Sequence, residues 1–455
     1  MDKLILLPLI ISAIMLLDRE PKEVFILVFL PFLTLLPVYF DTKLMNGIPE
    51  LTFWSAALIP VLAAWAYRNF EGYSFHWMDL VVLSYIGVIF LGQWSNSTYK
   101  EAQKILFNNM MAIYFPYIMV RAFCENRDTL VRIIHIMTLL GALIAFFNML
   151  EFRLFTNYFD EILRRLWPRY VMWDTGMVMI RWGFKRALGP FSHPIVAGYF
   201  FALMAPLAVW CYNQNHYRNK NFGRLVVMLN IIGLFVSLSR APMIGFILGL
   251  GIIYYGWSDK KAAIGTFLTV LLSCSLIVII PKFIKYASVT RATAKTVDQR
   301  NVAYRKEMWE AYFEVVLERP YLGWGRFTVP VLKGMDSIDS EYLGVALASG
   351  IIVVFFYLVF LLFMLSRLLK FAFSMPHDDP WGRLAWCLIA GWCTAIFTQA
   401  TVYSGAQTVQ YLFMLGGVGQ VLILTTPAQK LFSRKHDRPV QPAYIGYGFG
   451  FTRVV

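Results

Sequence analysis

Glu341 to Leu365 reads EYLGVALASGIIVVFFYLVFLLFML, and after Glu341 no charged side chain appears until Arg367. A helix needs about 20 such residues to cross a hydrocarbon core of about 30 Å, so this stretch alone argues for a membrane span. Similar runs extend outward from it in both directions. Spans are expected near 4–17, 22–40, 51–67, 77–92, 104–122, 129–150, 194–212, 224–239, 241–257, 262–280, 341–365, 384–402 and 408–425. Period-two alternation is absent, which argues against a barrel.

Composition agrees: the 455 residues are 58% hydrophobic, 17% aromatic and 15% charged, a balance rarely shown by soluble domains. The expected fold is an all-α polytopic integral membrane protein of about 12–14 transmembrane helices. Its organisation is read as N-terminal helices (1–152), a first large loop (153–193), central helices (194–280), a second large loop (281–340), C-terminal helices (341–425) and a basic cytoplasmic tail (426–455). The first apolar stretch lacks a basic flank and a small-residue cleavage site, so no cleaved signal peptide is expected. The five cysteines lie in spans or at their cytoplasmic edges, and their spacing suggests neither a disulfide nor a zinc site.

Lys and Arg in short connections set orientation, because they collect on the cytoplasmic side. With the tail cytoplasmic, 19 fall on its side, and only Lys43, Lys100, Lys104 and Arg240 occupy the opposite short loops. Both long loops then face outward, yet they carry 17 of the 41 basic residues. That placement calls for an anionic partner outside. The net charge of +14 is distributed by membrane side rather than along one helix, which excludes nucleic acid as the expected partner.

In the first loop, Phe155, Phe159, Ile162, Leu163 and Leu166 recur at helical spacing beside Arg164, Arg165 and Arg169, a pattern for a helix lying in the interface. The segment from Arg181 to Pro194 is broken by Gly183, Gly189 and Pro190 and brings backbone N–H groups and Arg186 to the mouth of the next span. Arg186 reads as an anion ligand or a headgroup contact. His193, just before Pro194, reads as a base, a donor to substrate, or the cap of that span. Arg240 sits at or just inside the outer boundary, where a guanidinium is costly and is kept for a ligand or snorkels to headgroups.

The second loop predicts an amphipathic helix over 300–318, with Trp309, Tyr312, Phe313, Val316 and Leu317 on one face and Pro320 ending it. Arg305, four residues before Trp309, shares a helical face with it. Such a pair suits phosphate and sugar recognition and also serves as a plain interface anchor. Asp339 and Glu341 precede the span that opened the reading. Either is a candidate general base, and acids in a first helical turn also simply favour the dipole. Their divergent directions argue against a metal site.

The order Arg186-x-x-Gly189-x-x-x-His193-Pro194, Ser239-Arg240, Arg305 with Trp309, Pro320-x-x-Gly323-x-Gly325 and Asp339-Ser-Glu341-Tyr342-Leu343 resembles the O-antigen ligase and polysaccharide polymerase family of bacterial membrane glycosyltransferases, over roughly residues 180–425. The resemblance implies a GT-C-like fold in the bacterial inner membrane. It also implies glycosyl transfer at the outer face from a polyprenyl-diphosphate-linked oligosaccharide, with Arg186, Arg240 and Arg305 as diphosphate ligands; the residues themselves suggest His193 and Trp309 for substrate binding, and a diphosphate leaving group calls for no cofactor. Chain-length or export proteins of a polysaccharide pathway and membrane lipids are the further partners it suggests. Family ligases show His-Asn ahead of Tyr-Leu where this chain has Ser340-Glu341, and that departure leans toward a polymerase. Ligase-type transfer to another acceptor and a flippase are the alternatives. A flippase would place cations along its helix interiors, and these spans are nearly free of buried charge.

Overall fold

Two prolines shape the N-terminal helices. In the computed structural model, which describes residues 2–37, 40–43, 49–124, 126–166, 179–335, 337–402 and 405–433, α1 (Leu7–Met15) is followed by α2 (Pro21–Val24), a π-turn (Phe25–Phe29) and α3 (Leu30–Leu35). A short hairpin, β1 (Asp41–Thr42) with β2 (Leu51–Thr52), leads to α4 (Phe53–Tyr67) and α5 (Trp77–Asn96). Next, α6 (Tyr99–Asn109) passes through a second π-turn (Met110–Tyr114) into α7 (Phe115–Phe123). Each π-turn is followed closely by a proline, Pro31 or Pro116, whose ring would clash with the carbonyl four residues back in a regular helix. The wider turn relieves that clash.

The long α8 (Arg127–Leu154) leads into the first loop, which holds α9 (Tyr158–Leu166) and the hairpin of β3 (Ile180–Arg181) and β4 (Phe184–Lys185). Arg169 and the basic tail residues Arg434, Lys435, Arg438 and Arg453 lie outside the described residues. Then come α10 (Pro194–Asn213), α11 (Lys220–Val236), α12 (Arg240–Trp257) and α13 (Lys261–Ala287). The second loop contains α14 (Val297–Glu318), and the chain continues through α15 (Glu341–Ser349), α16 (Ile351–Ser374), α17 (Pro380–Thr401) and α18 (Gly405–Ser433). Among the described residues, five helices, α5, α8, α10, α16 and α17, are long and apolar enough to cross a membrane. The protein is an all-α polytopic membrane protein.

α10 is apolar on every side and correspondingly buried, contacting α8, α11, α12, α17 and α18. At one end of α5 the fully buried Asp79 accepts hydrogen bonds from Tyr73 (3.0 Å) and Tyr117 (3.1 Å) and pairs with Arg121. The other end of α5 meets the second loop, where Asn96 Nδ2 donates to Gly323 O (3.1 Å) and Gln93 Oε1 accepts from Arg326 N (2.8 Å).

The stretch read as one span over 341–365 is two helices. Gly350 separates α15 from α16 with φ at +87°, and the loop segment Pro320–Gly325 is laid across the break. Trp324 N and Gly325 N donate to Leu347 O and Ala348 O, both at 2.8 Å, while Ile351 N donates to Pro320 O at 2.7 Å. Carbonyls orphaned at a helix end thus find partners in the loop. The approach is so close that a Cβ on Gly350 would lie 2.0 Å from Tyr321 O, and one on Gly323 2.6 Å from Leu347 O.

Gly350→Ala is therefore expected to destabilise the protein, with positive φ alone costing about 1–3 kcal/mol and the backbone clash adding to it. Gly87→Ala, in a helix with open space around the glycine, serves as the control. Thermal unfolding in detergent should show a clear drop for the first and little change for the second.

Candidate functional site

The hairpin of the first loop turns at Trp182-Gly183, with φ of 54° and 80°, the two positive values that a tight type I′ turn requires. It is clipped to the turn between α11 and α12. Arg181 Nη1 donates to Leu238 O (2.6 Å), and the Arg240 guanidinium lies over the Trp182 ring, 5.7 Å from its centroid. Arg186 is buried and donates from Nε to Ser237 O (3.3 Å) and from Nη2 to Ser239 Oγ (3.0 Å). Both partners are neutral. Burial, with Arg181 nearby, lowers the Arg186 pKa to about 10, so it remains charged at neutral pH.

The backbone N–H groups that the sequence offers to a ligand here are already taken. Leu188 N (3.1 Å) and Gly189 N (2.8 Å) both donate to Glu151 Oε2, and Lys185 Nζ pairs with Glu151 Oε1 at 3.2 Å. Glu151, in the last turn of α8, is buried. Gly189 has φ of +61° and packs against Asn148, where a Cβ would stand 2.4 Å from Oδ1. Sequence reading did not single out Glu151. The signal was present as a lone acid beside an apolar helical run.

His193 is the N-cap of α10, its Nδ1 accepting from Ile195 N at 3.1 Å. That bond leaves the proton of a neutral imidazole on Nε2, so the ring faces its surroundings as a donor. Burial lowers its pKa to about 4, with Arg186 and Arg181 acting in the same direction and Asp339 opposing. Capping and donation to a substrate are compatible here because they use different nitrogens.

Asp339 is placed by α14. Tyr304 Oη donates to Ser337 O (2.6 Å) and accepts from Ser337 N (2.9 Å), and Ser337 Oγ donates to Asp339 Oδ1 (2.9 Å). Arg291 braces the same loop through Glu307 (2.5 Å) and Gly334 O (2.6 Å). Arg305 Nε stands 3.5 Å from Asp339 Oδ2, an ion pair in which Nε makes no hydrogen bond. Glu341 opens α15 behind the Ser340 cap and is buried, whereas Asp339 is partly exposed.

α14 buries only part of its apolar stripe. Met308, Tyr312, Val315 and Val316 are buried against Leu343, Ala346 and Leu347 of α15, while Trp309, Phe313 and Leu317 are exposed. The helix is turned by about one residue because Met308, absent from the predicted stripe, takes the core position. This leaves Arg305 and Trp309 both open, one turn apart.

Arg186, His193, Asp339 and Arg305 therefore come from two loops more than a hundred residues apart to one end of the bundle. Arg240 and Trp309 stand at exposed positions on the flanking helices, and Glu341 is buried in the first turn of α15. Residues 225–358 match the family model described as O-antigen ligase. The match includes Arg240, Arg305, Trp309, Asp339 and Glu341, and it supports an O-antigen ligase or polymerase-like family for this chain. No curated protein matches the chain.

Because the folded-state pKa of His193 lies below its unfolded value of about 6.5, the unfolded chain takes up that proton first. Its contribution to stability is expected to be complete above about pH 6.5 and to be lost as pH falls toward 4. His193→Gln should flatten melting temperature against pH across that window. Glu151→Ala should expose the Leu188 and Gly189 amides, each a buried donor costing about 1–3 kcal/mol when unpaired. Hydrogen exchange at those two amides should then accelerate well beyond that of the α8 core.

Proposed function

We propose that this chain is a glycosyltransferase that joins polyprenyl-diphosphate-linked oligosaccharide repeat units at the outer face of the bacterial inner membrane. One observation carries the reading: among the described residues, the buried guanidinium of Arg186 has only neutral hydrogen-bond partners. A buried cation without a counter-ion is costly, and an anionic substrate that reaches it offsets that cost. The family match supports glycan transfer as the chemistry.

In the proposed reaction the acceptor hydroxyl oxygen attacks the anomeric carbon of the donor, and the bond from that carbon to the diphosphate oxygen breaks. The lipid diphosphate leaves with the electron pair, its charge met by Arg186 and Arg305, with Arg240 at the edge and His193 donating from Nε2. The hydroxyl proton passes to a carboxylate. Asp339 suits this role better than Glu341, because it is partly exposed and held by Ser337. Its ion pair with Arg305 links the two steps: a diphosphate that engages Arg305 releases Asp339 to act as the base. Trp309, open beside Arg305, offers a ring face for a sugar.

Purified protein given lipid-linked repeat units should produce a ladder of longer glycans. Arg186→Ala and Arg305→Ala should each reduce turnover by roughly 10²–10³, the range for loss of a charge-stabilising donor. Lys306→Ala, which removes an exposed cation facing Glu310, should leave it unchanged. Normal elongation by Arg305→Ala would sink the diphosphate clamp. Transfer of the glycan to a non-polyprenyl acceptor without lengthening would mark a ligase, and movement of the lipid across vesicles without either product a flippase.

A further inference from the structure

Lys43, Lys100 and Lys104 interrupt an otherwise lopsided charge distribution, and they converge on one cavity. It has a volume of about 410 Å³ and is lined by these lysines together with Pro49, Gln103, Leu106, Phe107, Met110 and Phe115. The size falls within the range of about 300–1,000 Å³ common for small-molecule sites. It lies at the same end of the bundle as the two loops. Leu163 of α9 packs in one cluster with Ile5, Phe40, Leu51 and Phe53, which Phe107 joins. The turn that starts α6 directly follows Asn96, which is bonded to the second loop.

The lining has a direction. Lys100, Gln103, Lys104 and Phe107 follow helical spacing along one face of α6, and Met110 continues it at the start of the π-turn, so cationic and polar groups come first and apolar ones follow down the axis. The π-turn that begins at Met110 widens the helix at the apolar lining of the cavity, a distortion frequent at functional sites. The acids on the facing hairpin are Asp41 and Glu50. Glu50 pairs with Lys104 at 3.1 Å, whereas among the described residues Lys43 and Lys100 have no ion-pair partner. Two ammonium groups without an ion-pair partner among the described residues, beside an apolar lining, match the charge and shape of an amphiphile with an anionic head.

We infer that this cavity binds a phosphorylated lipid, its phosphate between Lys43 and Lys100 and its hydrocarbon chain along Leu106, Phe107, Met110 and Phe115. The site is separate from the arginine-lined one and holds whatever reaction occurs there. Free inorganic phosphate would meet the lysines and leave the apolar lining uncovered. An uncharged lipid would cover that lining and leave the lysines without a counter-ion.

The test uses the full chain in neutral detergent with a photoreactive farnesyl phosphate. Crosslinks are expected on α6 peptides carrying Phe107 or Met110. A tenfold or larger loss of labelling is expected for the double variant Lys43→Gln, Lys100→Gln, with its melting temperature unchanged. Phe107→Ser should weaken labelling while leaving both lysines in place. Labelling confined to other helices would overturn the inference, as would equal labelling by the farnesol analogue or undiminished labelling of the double variant. Competition by inorganic phosphate at concentrations equal to the probe would overturn the lipid assignment.

Discussion

Backbone hydrogen bonds exchanged between Pro320–Gly325 and the end of α15 hold the second loop in register with the helices. A helix end leaves carbonyls that an apolar surrounding cannot satisfy, and here Leu347 and Ala348 are satisfied by Trp324 and Gly325. The same segment is held from the side by Gln93 and Asn96 of α5. Because α15 packs on α14, this joint fixes both the acids at the start of α15 and the arginine on α14. In the Pro320-x-x-Gly323-x-Gly325 motif, Gly323 allows close backbone approach to Leu347, and Gly325 takes a positive φ against the Asn96 side chain.

Glu151 does for the first loop what that joint does for the second. An internal carboxylate takes the Leu188 and Gly189 amides and Lys185, and so ties the segment bearing Arg186 to α8. The excess of cations in the two loops then divides. Arg164, Arg165, Lys185 and Arg291 meet Asp160, Glu161, Glu151 and Glu307. Arg186 is buried among neutral acceptors, and the Arg305 pair with Asp339 is long and partly exposed.

Reading the sequence located the helices well because hydrophobic runs and breakers act locally. It predicted a helix over 300–318 where α14 spans Val297–Glu318, and a helix near Phe159–Leu166 where α9 forms. It did not see the break at Gly350, since a glycine among apolar residues carries no local sign that another backbone will press against it. It placed Trp309 and Phe313 on one apolar stripe of α14 with Tyr312 and Val316, whereas the fold buries Met308 and Val315 beside Tyr312 and Val316. Aromatic residues weigh heavily in a hydrophobic pattern, and only the shape of α15 decides which neighbours fit.

By itself the sequence determined the membrane class, the alternation of apolar helices with two basic loops, and the residue types available for an anionic substrate. Those follow from length, hydropathy and charge, which need no partner to be read. Tertiary structure alone decided which charges are spent and which remain. Glu151 reaches Gly189, Arg186 reaches Ser239, and Arg305 reaches Asp339 only because the bundle closes distances of 34 to 53 residues along the chain. In the same way Lys43 and Lys100 share a cavity only through folding. Attraction between exposed charges is screened over about 8–10 Å at ordinary ionic strength, and no local pattern records which distant side chain will come within that range.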